Sequence, residues 1–168
     1  MAEFKIKYAA RAALALTLAS LATDSNLLTG RASDAVSNTS NLFDDVLIGG
    51  KITVGTTPTA NTFIEVWAYA ARQDAPSYPD AITGSDAGKT MTSAAIKQLA
   101  LSLIAVIPVD SATSDRAYPI KETSIASLFG GVMPDKWGVF VTHNTGVNLN
   151  ATAGNHFLEY MGISYTSA

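Results

Sequence analysis

The sequence predicts an all-β fold, a sandwich or barrel of about eight strands, from three observations. Apolar residues recur with a period of two in segment after segment, which is the mark of a strand with one buried face. Clusters of Thr, Pro, Asn, Gly and Ser separate those segments. No regular alternation of strands with long helical stripes argues for a parallel sheet.

The first candidate strand carries Leu14, Leu16 and Leu18 on one parity and Ala13, Ala15, Thr17 and Ala19 on the other. Residues 27–37, with Leu27, Leu28 and Val36, form a weaker one. Next, Val46, Ile48, Gly50, Ile52 and Val54 alternate with Leu47, Gly49, Lys51 and Thr53, and Ile64, Val66, Ala68 and Ala70 alternate with Phe63, Glu65, Trp67 and Tyr69. The apolar run 96–107 fits both a helical stripe (Ile96, Ala100, Leu103, Ile104, Ile107) and alternation (Leu99, Leu101, Leu103); its stop at Pro108 favours a strand. A short helix is expected near 124–129: Thr123 or Ser124 supplies the cap, Ile125, Leu128 and Phe129 the apolar face, and Gly130-Gly131 the stop. Val139 and Val141 alternate with Phe140 and Thr142, and a last strand runs from Phe157 to Tyr165.

Length sets one domain as the expectation: an N-terminal arm at 1–12, then a single unit at 13–168 with a long irregular loop at 72–94. Loops of that length are usually functional or docked on a partner. The arm resembles the start of a secretory signal, because Lys5, Lys7 and Arg11 precede apolar residues 12–21. That run is too short to span a bilayer, and its alternation favours a strand.

Composition excludes several classes. Eleven Lys and Arg against 14 Asp and Glu give a net charge of −3, so a basic nucleic-acid surface is not expected. With no cysteine there are no disulfides and no thiolate metal sites. Charged residues are only 15% of the chain, and 22 consecutive residues from Trp137 to Leu158 carry none. An ordinary soluble domain has roughly 25%.

Motifs of chemistry are weak. Gly84 to Thr90 imitates a phosphate loop, but three residues rather than four separate its glycines, and no apolar strand leads into it. His143 and His156 match no short metal spacing. Asp44 and Asp45 are adjacent and point to opposite faces of a strand. Asp74, Asp80 and Asp86 in the long loop miss the EF-hand spacing. Asn38-Thr39-Ser40 and Asn150-Ala151-Thr152 match the glycosylation pattern, which recurs by chance. Trp67, Trp137, Tyr69, Tyr78 and Tyr160 suit either a core or a sugar-stacking surface. No catalytic residue and no cofactor is expected.

The order of segments resembles a group of tailed-bacteriophage virion proteins. The resemblance is carried by 16–22 (LTLASLA), 50–56 (GKITVGT), 64–70 (IEVWAYA), Tyr118-Pro119-Ile120, 128–132 (LFGGV), 137–146 (WGVFVTHNTG) and Gly154-Asn155-His156, and it extends from about residue 12 to 168. It implies an antiparallel jelly-roll β-sandwich and a structural, non-enzymatic role decorating the outer capsid surface. The implied partners are the major capsid protein and further copies of the chain, as dimer or trimer, with no nucleic acid and no membrane. The charge-free stretch then reads as contact surface, since interface cores are poor in charge. On that reading Trp137, Phe140, His143, Val147, Leu149, His156 and Tyr78 are the candidate interface residues. A tail or receptor-binding module that stacks glycans on Trp67 and Tyr69 is the alternative.

Overall fold

A computed structural model describes residues 3–75 and 77–167, so Met1, Ala2, Pro76 and Ala168 lie outside the described residues. The chain is an all-β sandwich of two antiparallel sheets with two short helices. In chain order the strands are β1 (Phe4–Tyr8), β2 (Ala12–Ala13), β3 (Thr29–Ala32), β4 (Val36–Ser37), β5 (Asp45–Thr53), β6 (Thr62–Ala70), β7 (Ala87–Thr90), β8 (Ser102–Val109), β9 (Ala117–Ser124), β10 (Lys136–His143) and β11 (Phe157–Ser167). The helices are α1 (Ala94–Ala100) and α2 (Ile125–Leu128). One sheet runs β1-β11-β5-β9 with β2 also on β11; the other runs β7-β3-β10-β6-β8 with β4 also on β10.

Successive long strands enter the two sheets in a fixed rhythm. With β1–β2 and β3–β4 each taken as one interrupted strand and β7 set aside, sheet one has the chain order first-eighth-third-sixth and sheet two second-seventh-fourth-fifth. That is the interleaving of two Greek keys that defines a jelly roll.

The main core lies between the sheets. Val46, Ile48 and Ile52 of β5 and Leu158 of β11 face Ile64, Val66 and Ala68 of β6 and Trp137, Val139 and Val141 of β10. Apart from Trp137, these fall on the alternating positions read from the sequence. Segment 14–18 keeps its alternation, with Leu14 and Leu18 buried, but joins neither ladder. It crosses between the sheets: Leu14 N–H donates to Leu158 O of sheet one, and Ala15 O accepts from Asp34 N–H beside sheet two.

A second, smaller core covers the outer face of sheet two. Phe140 of β10, Trp67 and Tyr69 of β6 and Ala32 of β3 are buried there under Ile82, Met91 and Leu101. The long loop supplies that cover. It contains β7, which lengthens the sheet by pairing with β3, and Tyr78, whose ring meets Tyr69 edge-on with centroids 5.6 Å apart. Gly138 makes room on the same face, since a Cβ there would lie 2.3 Å from the Tyr69 ring. Phe140 and Tyr69 therefore reach an apolar layer that the period of two alone does not reveal.

The apolar run 96–107 is two elements rather than one strand. Ser93 caps α1 by accepting from Ile96 N–H at 3.2 Å, and extended backbone at Leu101 then opens β8. The first half is helical, but its buried residue is Lys97 while Ile96 is exposed, so the expected apolar stripe does not set the buried face. Alternation holds at the end of β8, where Ile107 and Val109 are buried and Val106 and Pro108 exposed. Helix α2 matches its expected caps: Ser124 Oγ accepts from Ser127 N–H, and Gly130 and Gly131 (φ 77° and 87°) close it, with Gly131 N–H on Ala126 O. Among the described residues no helix is long and apolar enough to cross a membrane.

Candidate functional site

The β10 part of the charge-free stretch packs inside its own chain, while Gly146, Asn148, 151–154 and Phe157 stay exposed. Trp137, Phe140 and His143 on β10 have no exposed surface, Leu149 is buried, and His156 is nearly so. Val147 and Tyr78 are half-buried. For Trp137, Phe140 and His143 the expectation of an outer contact surface is corrected by the position of β10: it is a central strand buried on both faces, so both parities are apolar for internal reasons. Burial likewise withdraws Leu149 and His156, whereas Val147 and Tyr78 keep part of their surface. Trp137 packs edge-on against Tyr160 at 5.4 Å rather than facing a neighbour. Trp67 and Tyr69 lie beneath α1 and the long loop, so neither ring is open to a sugar.

Both histidines pin loops. His143 bonds Thr145 Oγ1 through Nδ1 and Leu21 O through Nε2, each at 3.0 Å. His156 Nδ1 accepts from Thr53 N–H at 3.2 Å, so its Nε2 carries the proton that it donates to Asn150 O at 2.8 Å. Burial pushes both imidazoles below their usual range, against the opposing pull of those carbonyls.

The carboxylates are dispersed and locally engaged. Asp45 receives Ala126 N–H, Asp44 receives Tyr165 N–H, and Asp80 receives Thr92 N–H and Oγ1. Asp86 ties the long loop to two neighbours. It accepts from Arg31 Nε and Thr17 Oγ1, both at 2.6 Å. Partial burial raises its pKa, but these hydrogen bonds prevail and hold it below the usual carboxylate value. Among the described residues no three of His, Cys, Asp and Glu gather into a group that could hold a metal.

A buried ion pair lies under α1. Lys97, 4% exposed, gives Nζ to Glu65 Oε2 and to Leu27 O, both at 2.6 Å. The same carboxylate receives Trp67 Nε1 at 2.9 Å, and the ammonium sits 5.1 Å from the Trp67 ring centre. Glu65 Oε2 thus joins Lys97 of α1 to Trp67 of β6, so the group fastens α1 to the sheet.

The feature that the chain itself leaves open is at the other sheet. Strand β1 pairs along its whole length with the last residues of β11, from Phe4 opposite Ser167 to Tyr8 opposite Ile163. All five of its residues are exposed. Strand β5 pairs with β11 only as far as Ile163, opposite Asp45, so beyond that point the two strands run on as a ribbon. Opposed residues of an antiparallel pair share a face. One face therefore carries Phe4, Ile6, Tyr8, Ile163 and Tyr165, and the other Lys5, Lys7, Ser164 and Thr166. Phe4 is 80% exposed and Tyr165 61%. Ile6, Tyr8, Ile163 and Tyr165 line one side of a groove of about 560 Å³, with Asp44, Asp45, Ser124, Ala126, Ser127 and Gly131 completing it.

More apolar surface lies on sheet two. Leu99 of α1 is 81% exposed, and Phe63 of β6 and Leu103 and Val106 of β8 are also open to solvent. Sequence reasoning assigned residues 1–12 only as an arm. The signal that identifies the ribbon was present, since Phe4, Ile6 and Tyr8 alternate with Lys5 and Lys7. No protein family, curated protein or solved structure matches this chain.

Proposed function

We propose that the chain is a non-enzymatic structural protein of a tailed-phage particle, which decorates the outer capsid surface by docking on the major capsid protein and on further copies of itself. The observation that carries this reading is the projecting ribbon. Four exposed apolar side chains, Phe4, Ile6, Tyr8 and Tyr165, are held with the half-buried Ile163 on one face of a two-stranded ribbon that no other element covers among the described residues. Contiguous exposed apolar surface of this kind marks contact sites. The resemblance of segments 16–22, 50–56, 64–70 and 137–146 to virion proteins supplies the particle. The jelly-roll order agrees, being a common architecture of virus-shell domains, although a fold alone names no function.

A decoration protein contacts both the shell and its neighbours, so it needs at least two surfaces. The ribbon and the Leu99–Val106 region provide two, on opposite sheets. Quantitative mass spectrometry of purified virions tests the role. Copy numbers matching a capsid lattice site support it; a ring-like count places the chain in the tail, and absence from the particle refutes it.

A further inference from the structure

We propose that the free edge of β1 takes up an extended, acidic segment of a partner protein as an added strand of sheet one. This deepens the docking reading above by naming what the ribbon binds, and it rests on that reading only for the partner's location.

The backbone supplies the first argument. Ala9 N–H donates to Gly162 O at 2.8 Å, in register with the β1–β11 ladder. Antiparallel ladders bond every second residue, so Lys7 and Lys5 also turn their backbone groups toward β11. The N–H and C=O of Ile6 and Tyr8 then point away, along an edge that no strand covers among the described residues. Such an edge is a template for one more strand.

Charge selects the occupant. Lys5 and Lys7 stand side by side on one face, and their neighbours on β11 are Thr166 and Ser164, which offer no charge. Among the described residues the one ion pair of Lys5 is with the loose, exposed Glu3 at 3.7 Å, whereas Arg11 is matched by Glu122. A second copy is a poor occupant. Antiparallel pairing of β1 with its own twin, with apolar faces aligned and centred on Lys5, Ile6 or Lys7, sets lysine opposite lysine. Like charges directly opposed disfavour that pairing, and edge lysines are a common guard against self-association. A strand alternating apolar residues with Glu or Asp instead extends the Phe4–Ile6–Tyr8 face and neutralises both lysines.

The test uses the full chain and short fluorescent peptides in which valine alternates with glutamate or with lysine. The glutamate peptide should bind at least about tenfold more tightly than the lysine peptide, since two attractive pairs replace two repulsive ones. The double substitution Lys5→Glu and Lys7→Glu should reverse the preference. Ile6→Pro removes an N–H that the β11 ladder does not use, so it should abolish peptide binding and leave the melting temperature unchanged. Equal affinity for the two peptides, binding that survives Ile6→Pro, or a dimer of the full chain that Ile6→Pro dissolves would overturn the proposal. Peptide binding by a chain missing from virions would instead overturn the capsid role and leave the strand-addition site standing.

Discussion

His143 and His156 set the acid limit of the fold. Burial holds both neutral in the folded chain, with pKa values below the ordinary one. The unfolded chain takes up protons near pH 6.5. Above that pH neither state binds a proton at these sites, and their contribution is fully present. As pH falls below it, the unfolded state gains protons first and stability drops, by up to about 1.4 kcal/mol per pH unit for each histidine. Urea denaturation between pH 8 and pH 5, a range set by the titration of histidine at about 6.5, should therefore show a plateau followed by a loss. Stability that rises on acidification in this window would contradict the burial of both rings. Asp24 and Asp86, whose pKa values are lowered, add a further loss once pH falls below the ordinary carboxylate value. A second test at this scale concerns Lys97. Glu65→Ala leaves a buried ammonium without its carboxylate and should cost about 3 kcal/mol, whereas Glu65→Leu combined with Lys97→Met should recover most of that. Denaturant midpoints for the two variants measure the difference.

Elements differ in how openly the sequence declares them. Strands β5 and β11 face the main core on one parity and solvent, polar groups or thin cover on part of the other, so alternation exposes them, and β6 alternates in the same way until Trp67 and Tyr69 enter the second core. Helix α2 is announced by its caps. Strand β10 is different: its second face is buried by α1 and the loop 72–94, a layer assembled from residues far away in the chain. Its missing charges were legible, but the cause of their absence lay in that tertiary cover. The run 96–107 is ambiguous because both periods find apolar residues in it, and the deciding contact, Lys97 with Glu65, joins positions distant in sequence. Strand β1 carries alternation too, yet alternation does not say that both faces stay exposed. Its exposure leads to a clean separation of stability from docking. Replacing Phe4, Ile6 and Tyr8 by serine should change folding stability by no more than about 0.5 kcal/mol for each substitution, as expected for surface positions, while abolishing attachment to particles. Thermal melts and co-sedimentation with particles lacking the protein check the two halves. By contrast, Phe140→Ala, inside the second core, should cost about 3–5 kcal/mol by the same melts.

For the molecule as a whole, the low charge has two separate origins. One is internal: the centre of sheet two, β10 with Trp67 and Tyr69 of β6, is buried on both faces, which raises the apolar share without any partner. The other is external: the ribbon at one sheet and the Leu99–Val106 region at the other leave apolar side chains in water. Only the second bears on assembly, and it moves the expected contacts from Trp137–Leu158 to Phe4–Tyr8 and Ile163–Tyr165. The most direct measurement is a density map of the intact particle with this chain located in it. The account predicts the chain on the outer capsid surface, with Phe4, Ile6 and Tyr8 covered by the shell and an added strand along β1. A map in which that ribbon stands free in solvent while the chain attaches elsewhere would contradict it.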